Sequence, residues 1–397
     1  MILRYPKYYE EFTCIAGACE DTCCAGWEID IDDKSYEYYM QVPGTFGERI
    51  RGSIKEYQTD DDMYENHGFI LQEGRRCPFL NRDNLCDMIL ELGEDAICEV
   101  CTYTPRNFLE YGNAREISIS PSCAEAGRLI FGSSRKVEFV EKETEEAFAF
   151  EESEEALETA EVIRRARDTA IAILQEESHG IEQKICYFLL YAKEVQECFN
   201  KNALDEVWSG EAEEWLERKK EILWPENDAD IFGYFIKRLE SFGGLDSINE
   251  EWEHYLERLR ILFLGKGGRR CYEETLHGFR TYMKQEEREY EWEQLMVYYA
   301  FLFLARSVDD LNFWGKAQFC VSSFLMIRDM ELERFYQKRG SFLKEDCVDI
   351  ARIYAKETEH SQENLGFLED EFLFEEIYRY EELCRQVLGK EGRICSI

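Results

Sequence analysis

Cysteine spacing in the first third of this 397-residue chain constrains its fold more than any other feature. Nine of the sixteen cysteines lie before residue 124, in two groups separated by 52 residues. The first group is Cys14, Cys19, Cys23 and Cys24, and the second is Cys77, Cys86, Cys98, Cys101 and Cys123. Thiolates are strong ligands for zinc, Cu(I) and iron–sulfur clusters, and such local bunching is improbable for cysteines that only fill a core. We therefore predict a metal-binding region built from these nine thiols.

The spacing within each group shows which cysteines are the stronger candidates for metal ligands. Cys98 and Cys101 form a CxxC pair, in which a tight turn can direct both sulfur atoms at one metal with little loss of entropy. Cys23 and Cys24 are adjacent and their side chains diverge, so either one binds metal while the other packs, or each serves a different site. Nine thiols allow two four-ligand sites with one left over, or one site together with structural thiols.

The kind of metal stays open on spacing alone. The chain has neither the paired CxxC motifs of a zinc ribbon nor the cysteine run of a ferredoxin. The radical S-adenosylmethionine triplet, C-x3-C-x2-C, is nearly met at Cys19 and Cys23, but Gly26 stands at the third position. Zinc and an iron–sulfur cluster both fit the pattern, and radical chemistry is not predicted.

Composition narrows the class of protein. Lys and Arg total 47 against 84 Asp and Glu, and the formal net charge of −37 disfavours binding to nucleic acid and to anionic membrane surfaces. The N-terminus lacks the apolar region of a signal peptide, and no run of about 18 apolar residues is present to span a membrane. We therefore expect a cytoplasmic protein, in which thiols stay reduced and clustered cysteines bind metals rather than form disulfides.

Prolines divide the chain into two parts of different character. Five of the six prolines precede residue 124, which predicts loops and short helices there. From residue 154 onwards, apolar residues recur at helical spacing in about nine or ten segments. The predicted fold is mainly α, with an irregular cysteine-rich metal-binding domain at 1–135, an acidic linker at 136–153 and a larger all-helical domain at 154–397. For the linker, an acidic arm that docks a basic partner is the alternative.

The helical part offers few candidates for chemistry. Its seven cysteines stand alone and are predicted to pack as small apolar side chains: Cys186, Cys198, Cys271, Cys320, Cys347, Cys384 and Cys395. None of its histidines is paired with another histidine or a carboxylate at a metal-motif spacing. The stretch GKGGRR at 265–270 follows a helical pattern, and we interpret it as a turn between helices, with a phosphate contact as the alternative.

Three stretches of the first part resemble the flagellin lysine N-methylase family. They are CIAGACEDTCCAGWEIDID, CPFLNRDNLCDM with the later ELGEDAICEVCTYTPR, and SPSCAEAGRLI. The resemblance covers residues 5–132, and the family belongs to a wider group of cysteine-cluster proteins associated with zinc or iron chelation. Most family versions carry Arg after the second cysteine of the pair, where this chain has Thr102, and Thr104 precedes Pro105.

This resemblance implies an enzyme that transfers a methyl group from S-adenosylmethionine to lysine side chains of its partner, flagellin. It also implies that the cysteines hold an iron–sulfur cluster, with 4Fe–4S favoured, or zinc. No strand followed by a GxGxxG-like loop is present, so the usual methyltransferase nucleotide loop is not predicted and the catalytic residues stay unassigned. The alternative is a non-catalytic, zinc-stabilised module whose helical part holds a protein partner.

Overall fold

The protein is mainly α-helical, as the sequence predicts. The structure, a computed structural model, describes residues 1–57, 66–145, 153–222, 229–359 and 361–389. Within these residues the N-terminal part combines short helices with two small sheets, and the rest of the chain is a bundle of helices.

The N-terminal part is more regular than predicted. Its strands are β1 Ile2–Pro6, β2 Asp30–Ile31, β3 Ile54–Tyr57, β4 Asn66–Phe69, β5 Arg106–Tyr111, β6 Ala114–Ile119 and β7 Phe139–Glu143. Its helices are α1 Asp33–Gln41, α2 Gly44–Arg51, α3 Asp87–Leu92, α4 Glu99–Tyr103 and α5 Ala124–Ile130. One sheet has the order β5-β6-β1-β7, with β1 parallel to β6 and antiparallel to β7, and the other has the order β2-β4-β3. The expectation of an irregular domain is therefore wrong for these segments, because pairing between distant strands supplies the order.

The predicted linker at 136–153 contains a strand. Residues 139–143 pair with β1 along its whole length, from Ile2 opposite Glu143 to Pro6 opposite Phe139. Residues 146–152 of the linker lie outside the described residues. Helix α6, Glu154–Leu174, begins where the sequence predicts, and the Ser153 hydroxyl caps it by accepting a hydrogen bond from the Ala156 N–H at 3.2 Å. The domain boundaries themselves stay predictions.

Eleven helices follow in the described part of the chain, close to the nine or ten predicted. They are α6, α7 Ile181–Asn200, α8 Ala212–Lys219, α9 Ile231–Phe242, α10 Glu250–Phe263, α11 Gly268–Gln285, α12 Tyr290–Leu304, α13 Phe313–Gln337, α14 Lys344–Thr358, α15 Gln362–Phe374 and α16 Tyr380–Leu388. Helices α12 and α13 are buried on nearly every face, which places them at the centre of the bundle. The glycine-rich stretch is a turn between α10 and α11, as predicted, with Gly267 at a φ of 84°.

Four of the lone cysteines are fully buried in the large apolar core: Cys186, Cys320, Cys347 and Cys384. Cys198 and Cys271 are half-buried against the same core, and Cys395 lies outside the described residues. The prediction that these thiols pack as small apolar side chains is confirmed for the buried four.

The two parts of the chain share packing surfaces. The β5–β6 hairpin turns at Gly112, where a Cβ atom would lie 2.8 Å from the Cβ of Ala160 in α6. Helix α5 packs on α14, and its Ala124, Ile130 and Phe131 belong to the same apolar core as the bundle. No helix among the described residues has the length and apolar character needed to cross a membrane.

Candidate functional site

Five of the nine predicted ligands come together in one place. The five-thiol cluster consists of Cys24, Cys77, Cys86, Cys98 and Cys101, all of which belong to a second, smaller apolar core in the N-terminal part. Phe69, Phe79, Leu80 and Met88 are buried in the same core. Residues from both sequence groups thus converge, although 52 residues separate the groups along the chain.

Local structure explains how the five thiols are held. Cys86 and Cys98 directly precede α3 and α4, and the N–H of Cys77 donates a hydrogen bond to the carbonyl of Cys24 at 2.9 Å. The Sγ atoms of Cys98 and Cys101 lie 3.5 Å apart on the first turn of α4. The CxxC spacing therefore does what the sequence predicts, since it places two sulfur atoms side by side.

Burial favours the protonated form of two of these thiols. It raises the pKa of Cys77 to about 11 and also raises the pKa of Cys86. The hydrogen bond between the Cys98 and Cys101 thiols lowers the pKa of Cys98 and raises the pKa of Cys101. Binding of a cation would have to displace these protons, so metal affinity at the cluster would rise with pH.

Cys123 directly precedes α5. Burial, with smaller contributions from Cys23 and Cys19, raises its pKa to about 11. The adjacent Cys23 and Cys24 thiols share a hydrogen bond, which lowers the pKa of Cys24 and raises the pKa of Cys23. Whether the doublet serves one site or two stays a prediction.

Cys14 lies outside the five-thiol cluster. It is exposed, and its Sγ accepts a hydrogen bond from the Ala16 N–H at 3.4 Å. Of the nine predicted ligands, the structure therefore groups five in one apolar core.

The sulfur donors of the five-thiol cluster suit a soft metal. The distances between the sulfur atoms are less suited to one. Five thiols in one apolar pocket match the preference of zinc and iron–sulfur clusters for sulfur. The Cys98 and Cys101 sulfur atoms lie 3.5 Å apart, which is close enough for two ligands of one metal. No group of three or more His, Cys, Asp or Glu side chains in the described part of the chain is arranged to hold an ion. Ligation by four thiols would need side-chain rotation at the others.

Ion pairs attach the loop that carries the doublet to the helical bundle. The Asp21 carboxylate accepts from Arg352 at 2.9 Å and from Lys356 at 2.5 Å, both on α14. Although burial opposes its ionisation, these cations hold the pKa of Asp21 below its usual value. Lys356 also donates to the carbonyl of Thr22 at 3.3 Å. The loop is therefore fixed from the helical side, independently of any metal.

A buried carboxyl, Glu359, connects the turn before Cys123 to the bundle. Its Oε2 accepts hydrogen bonds from the Ser120 hydroxyl at 2.7 Å and the Tyr298 hydroxyl at 2.8 Å. Its Oε1 has no hydrogen-bond partner among the described residues, and the side chain is only 8% exposed. Burial raises the pKa of Glu359 to about 7.

A second buried carboxyl, Glu357, supports the start of α10. It accepts hydrogen bonds from the N–H groups of Ile248 and Asn249 at 3.0 and 3.3 Å, and burial raises its pKa to about 7. Asn249 in turn lies against Gly26, where a Cβ atom would be 3.8 Å from the Asn249 Cβ. Sequence reasoning missed both glutamates, because Glu357 lies in the last turn of α14 and Glu359 directly follows that helix, in a polar stretch where nothing local signals their burial.

The residues at which the chain departs from the family pattern make only local contacts. The hydroxyls of Thr102 and Thr104 donate to the carbonyls of Cys98 and Val100, at 3.1 and 2.8 Å. Arg106, which is not one of these departures, donates from Nε to the Tyr9 hydroxyl at 3.1 Å, between residues 97 positions apart. These side chains stabilise α4 and the strand after it.

Together, the fold and the thiols define a class: a helical protein that carries a cysteine-rich N-terminal module. Comparison with known proteins makes the class specific, because the sequence model of the FliB lysine N-methylase C-terminal domain matches residues 167–385, more than half of the chain. The chain belongs to the FliB lysine N-methylase family. The resemblance seen at the N-terminal motifs is thereby confirmed, although the match lies in the helical part, where those motifs are absent.

Curated relatives come from Salmonella. The chain is 26% identical over 137 residues to a protein named lysine-N-methylase from Salmonella typhimurium strain LT2, covering 34% of each chain. It is also 26% identical over 140 residues to the flagellar biosynthetic protein FliU of Salmonella muenchen, covering 35% of this chain and 82% of the relative. The alignment thus spans about a third of the length of the lysine-N-methylase relative. No solved structure matches the chain.

Proposed function

We propose that this protein is a lysine N-methyltransferase that uses S-adenosylmethionine to methylate flagellin. The observation that carries the proposal is the family match over 167–385, together with the lysine-N-methylase name of curated relatives. The flagellar name of the FliU relative and the N-terminal resemblance support flagellin as the substrate. A net charge of −37 suits an encounter with a lysine-bearing surface.

The reaction sets clear demands on the protein. The neutral lysine nitrogen attacks the methyl carbon of the sulfonium, the carbon–sulfur bond breaks, and its electron pair goes to sulfur to leave a thioether. The lysine must first lose a proton, because an ammonium has no lone pair to attack with. The protein therefore has to bind the amine, hold it in line with the methyl group and accept its proton.

The methyl donor would bind in an uncommon way. In the described part of the chain, the glycine-rich turn at 265–268 follows helix α10 rather than a strand, so it does not form the usual dinucleotide loop. The helical part would supply the donor site instead, since the family match lies there.

The proposal includes a thiolate-bound centre, either a 4Fe–4S cluster, which we favour, or zinc. The five-thiol cluster would hold it, with Cys98 and Cys101 as the first pair. When bound, such a centre would supply a soft Lewis acid and would cross-link chain segments that now meet through the small apolar core and main-chain hydrogen bonds. A cytoplasmic location, where thiols stay reduced, belongs to the same proposal.

The test combines metal analysis with a methylation assay. The full chain is purified without oxygen, its metal content and absorbance spectrum are measured, and it is incubated with flagellin and S-adenosylmethionine. Intact-mass analysis of flagellin should show steps of one methyl group that require both the protein and the methyl donor. Brown colour with iron and sulfide would support the cluster, and a colourless, zinc-stoichiometric protein would support zinc.

An unchanged flagellin mass with soluble, metal-loaded protein would refute the proposal. Retained binding of flagellin in that case would establish the interaction module, which the family match does not favour. A metal-free protein that still methylates flagellin would refute the thiolate centre alone.

A further inference from the structure

A groove of about 380 Å³ runs along α10, between this helix and the segment that follows α9. The side chains used in this argument are Leu245, Trp252, Glu253, Leu256, Glu257 and Arg260. Glu253 and Glu257 are exposed, and neither forms an ion pair or a hydrogen bond with a described residue. Leu245 and Leu256 are buried and give the groove an apolar wall. The groove thus combines two free carboxylates with an apolar surface.

Trp252 also lines the groove. Its side chain is 1% exposed and belongs to the large apolar core, where the ring lies edge-on to Tyr354 with centroids 6.1 Å apart. It therefore adds to the apolar wall formed by the two leucines.

Charge distinguishes this groove from two others on the bundle. A groove of about 800 Å³ between α11 and the end of α13 is lined by Arg270 and Arg339 against a single carboxylate, Glu274. A cavity of about 240 Å³ beside α6 contains Glu161 paired with Arg164. Among these three, only the α10 groove has more carboxylates than cations, so it is the one suited to a cationic ligand.

The groove borders the loop that carries the cysteine doublet. Glu253 lies close enough to Glu357 to contribute, after burial, to the raised pKa of that carboxyl. Glu357 holds Asn249 at the start of α10, and Asn249 packs against Gly26. On the same helix, Glu251 accepts from Arg352, which also pairs with Asp21 in the doublet loop. The groove is therefore next to the N-terminal module rather than at the far end of the bundle.

We infer that the α10 groove binds the side chain of the lysine that is to be methylated. Before it loses its proton, the ammonium lies between Glu253 and Glu257, and the four methylenes lie against Leu245 and Leu256. This assignment rests on the proposed function, which identifies the amine as a lysine. The family match does not say which residues bind that lysine.

The test is a double variant that removes both carboxylate charges and keeps the side-chain shape, Glu253→Gln with Glu257→Gln. Its matched control is Glu240→Gln with Glu250→Gln, which removes the same charge from exposed positions outside the groove. Binding to the full chain is measured by fluorescence polarisation with a dye-labelled peptide that has one lysine, and with the same peptide carrying norleucine. Steady-state kinetics with flagellin give KM and kcat.

Loss of charge-assisted contacts to the ammonium should weaken lysine-peptide binding and raise KM about tenfold, with a smaller change in kcat. The control double variant should bind like wild type, and the norleucine peptide should bind weakly to all three proteins. Unchanged lysine-peptide binding in the groove variant, or an equal loss in the control, would overturn the inference.

The two proposals fail separately. If the wild-type chain methylates flagellin and the groove variant keeps its KM, the groove inference is wrong and the proposed function stands. If the wild type binds the lysine peptide through the groove but transfers no methyl group, the proposed function fails and the groove inference stands.

Discussion

Replacing Glu359 by glutamine tests whether a buried, titrating carboxyl joins the two parts of the molecule. The carboxyl accepts hydrogen bonds from Ser120, in the turn before α5, and from Tyr298 on α12. Glutamine keeps an oxygen that can accept both bonds, but it cannot ionise. Its buried amide adds a cost that does not depend on pH. The pH-dependent part of the difference between the two proteins therefore reports on Glu359 alone.

The size of this difference follows from the pKa. Burial raises the pKa of Glu359 from 4.5 to about 7, and the side chain is well shielded from water. A group with a raised folded-state pKa contributes stability that is fully present below the unfolded pKa and lost as pH rises through the folded one. At about 1.4 kcal/mol per pKa unit, the full loss is about 3 kcal/mol. Between about pH 5 and about pH 7.5 the wild type should lose about 2 kcal/mol relative to Glu359→Gln.

Urea unfolding followed by far-UV circular dichroism at the two pH values measures this quantity. Other buried carboxyls, such as Glu331 with a pKa of about 8, are present in both proteins and cancel in the difference. Glu345→Gln, an exposed change on α14, removes the same charge and should show no such trend. A difference between wild type and Glu359→Gln that is constant across this pH range would show that Glu359 does not titrate there, and the reasoning would be wrong.

Cys98→Ser and Cys101→Ser should each lose bound metal, whereas Cys186→Ser, in the core of the bundle, should keep it. The measurement is the amount of metal bound per chain. Full metal content in Cys98→Ser and Cys101→Ser would refute the role of these two thiols as ligands. Asp21→Asn should lower the free energy of unfolding by about 2 kcal/mol, because Lys356 loses its carboxylate partner in a half-buried site. A urea midpoint equal to that of wild type would contradict this. Chelation of the full chain should leave most of the helical circular dichroism intact, since the large apolar core contains none of the five clustered thiols; collapse of the helical signal would refute that independence.

Local signals predicted the helical part well. The start of α6 depends on Ser153 as a cap, and the turn between α10 and α11 depends on glycine, and both are features of a few adjacent residues. The pairing of Cys98 with Cys101 is equally local, because residues three apart lie on one side of a helical turn. Such features can be recognised in a sequence without knowledge of the rest of the fold.

Features built from distant residues could not be predicted in this way. Strand β1 has five residues and pairs with β6 and β7, more than a hundred positions along the chain, so its alternation is too short to be distinctive. The burial of Glu359 depends on Ser120 and Tyr298, which come from different elements. No pattern near residue 359 indicates that these partners will meet there.

The loop that carries Cys23 and Cys24 joins the five-thiol cluster to the helical bundle. Cys24 packs against the small apolar core of that cluster, and its thiol shares a hydrogen bond with Cys23. Two residues earlier, Asp21 fixes the same loop to α14 through two cations. These attachments within four residues leave the loop little freedom to move independently of α14. That helix ends directly before Glu359 and carries Glu357, which supports the α10 groove. A series of direct contacts thus runs from the cysteine loop through α14 to the groove.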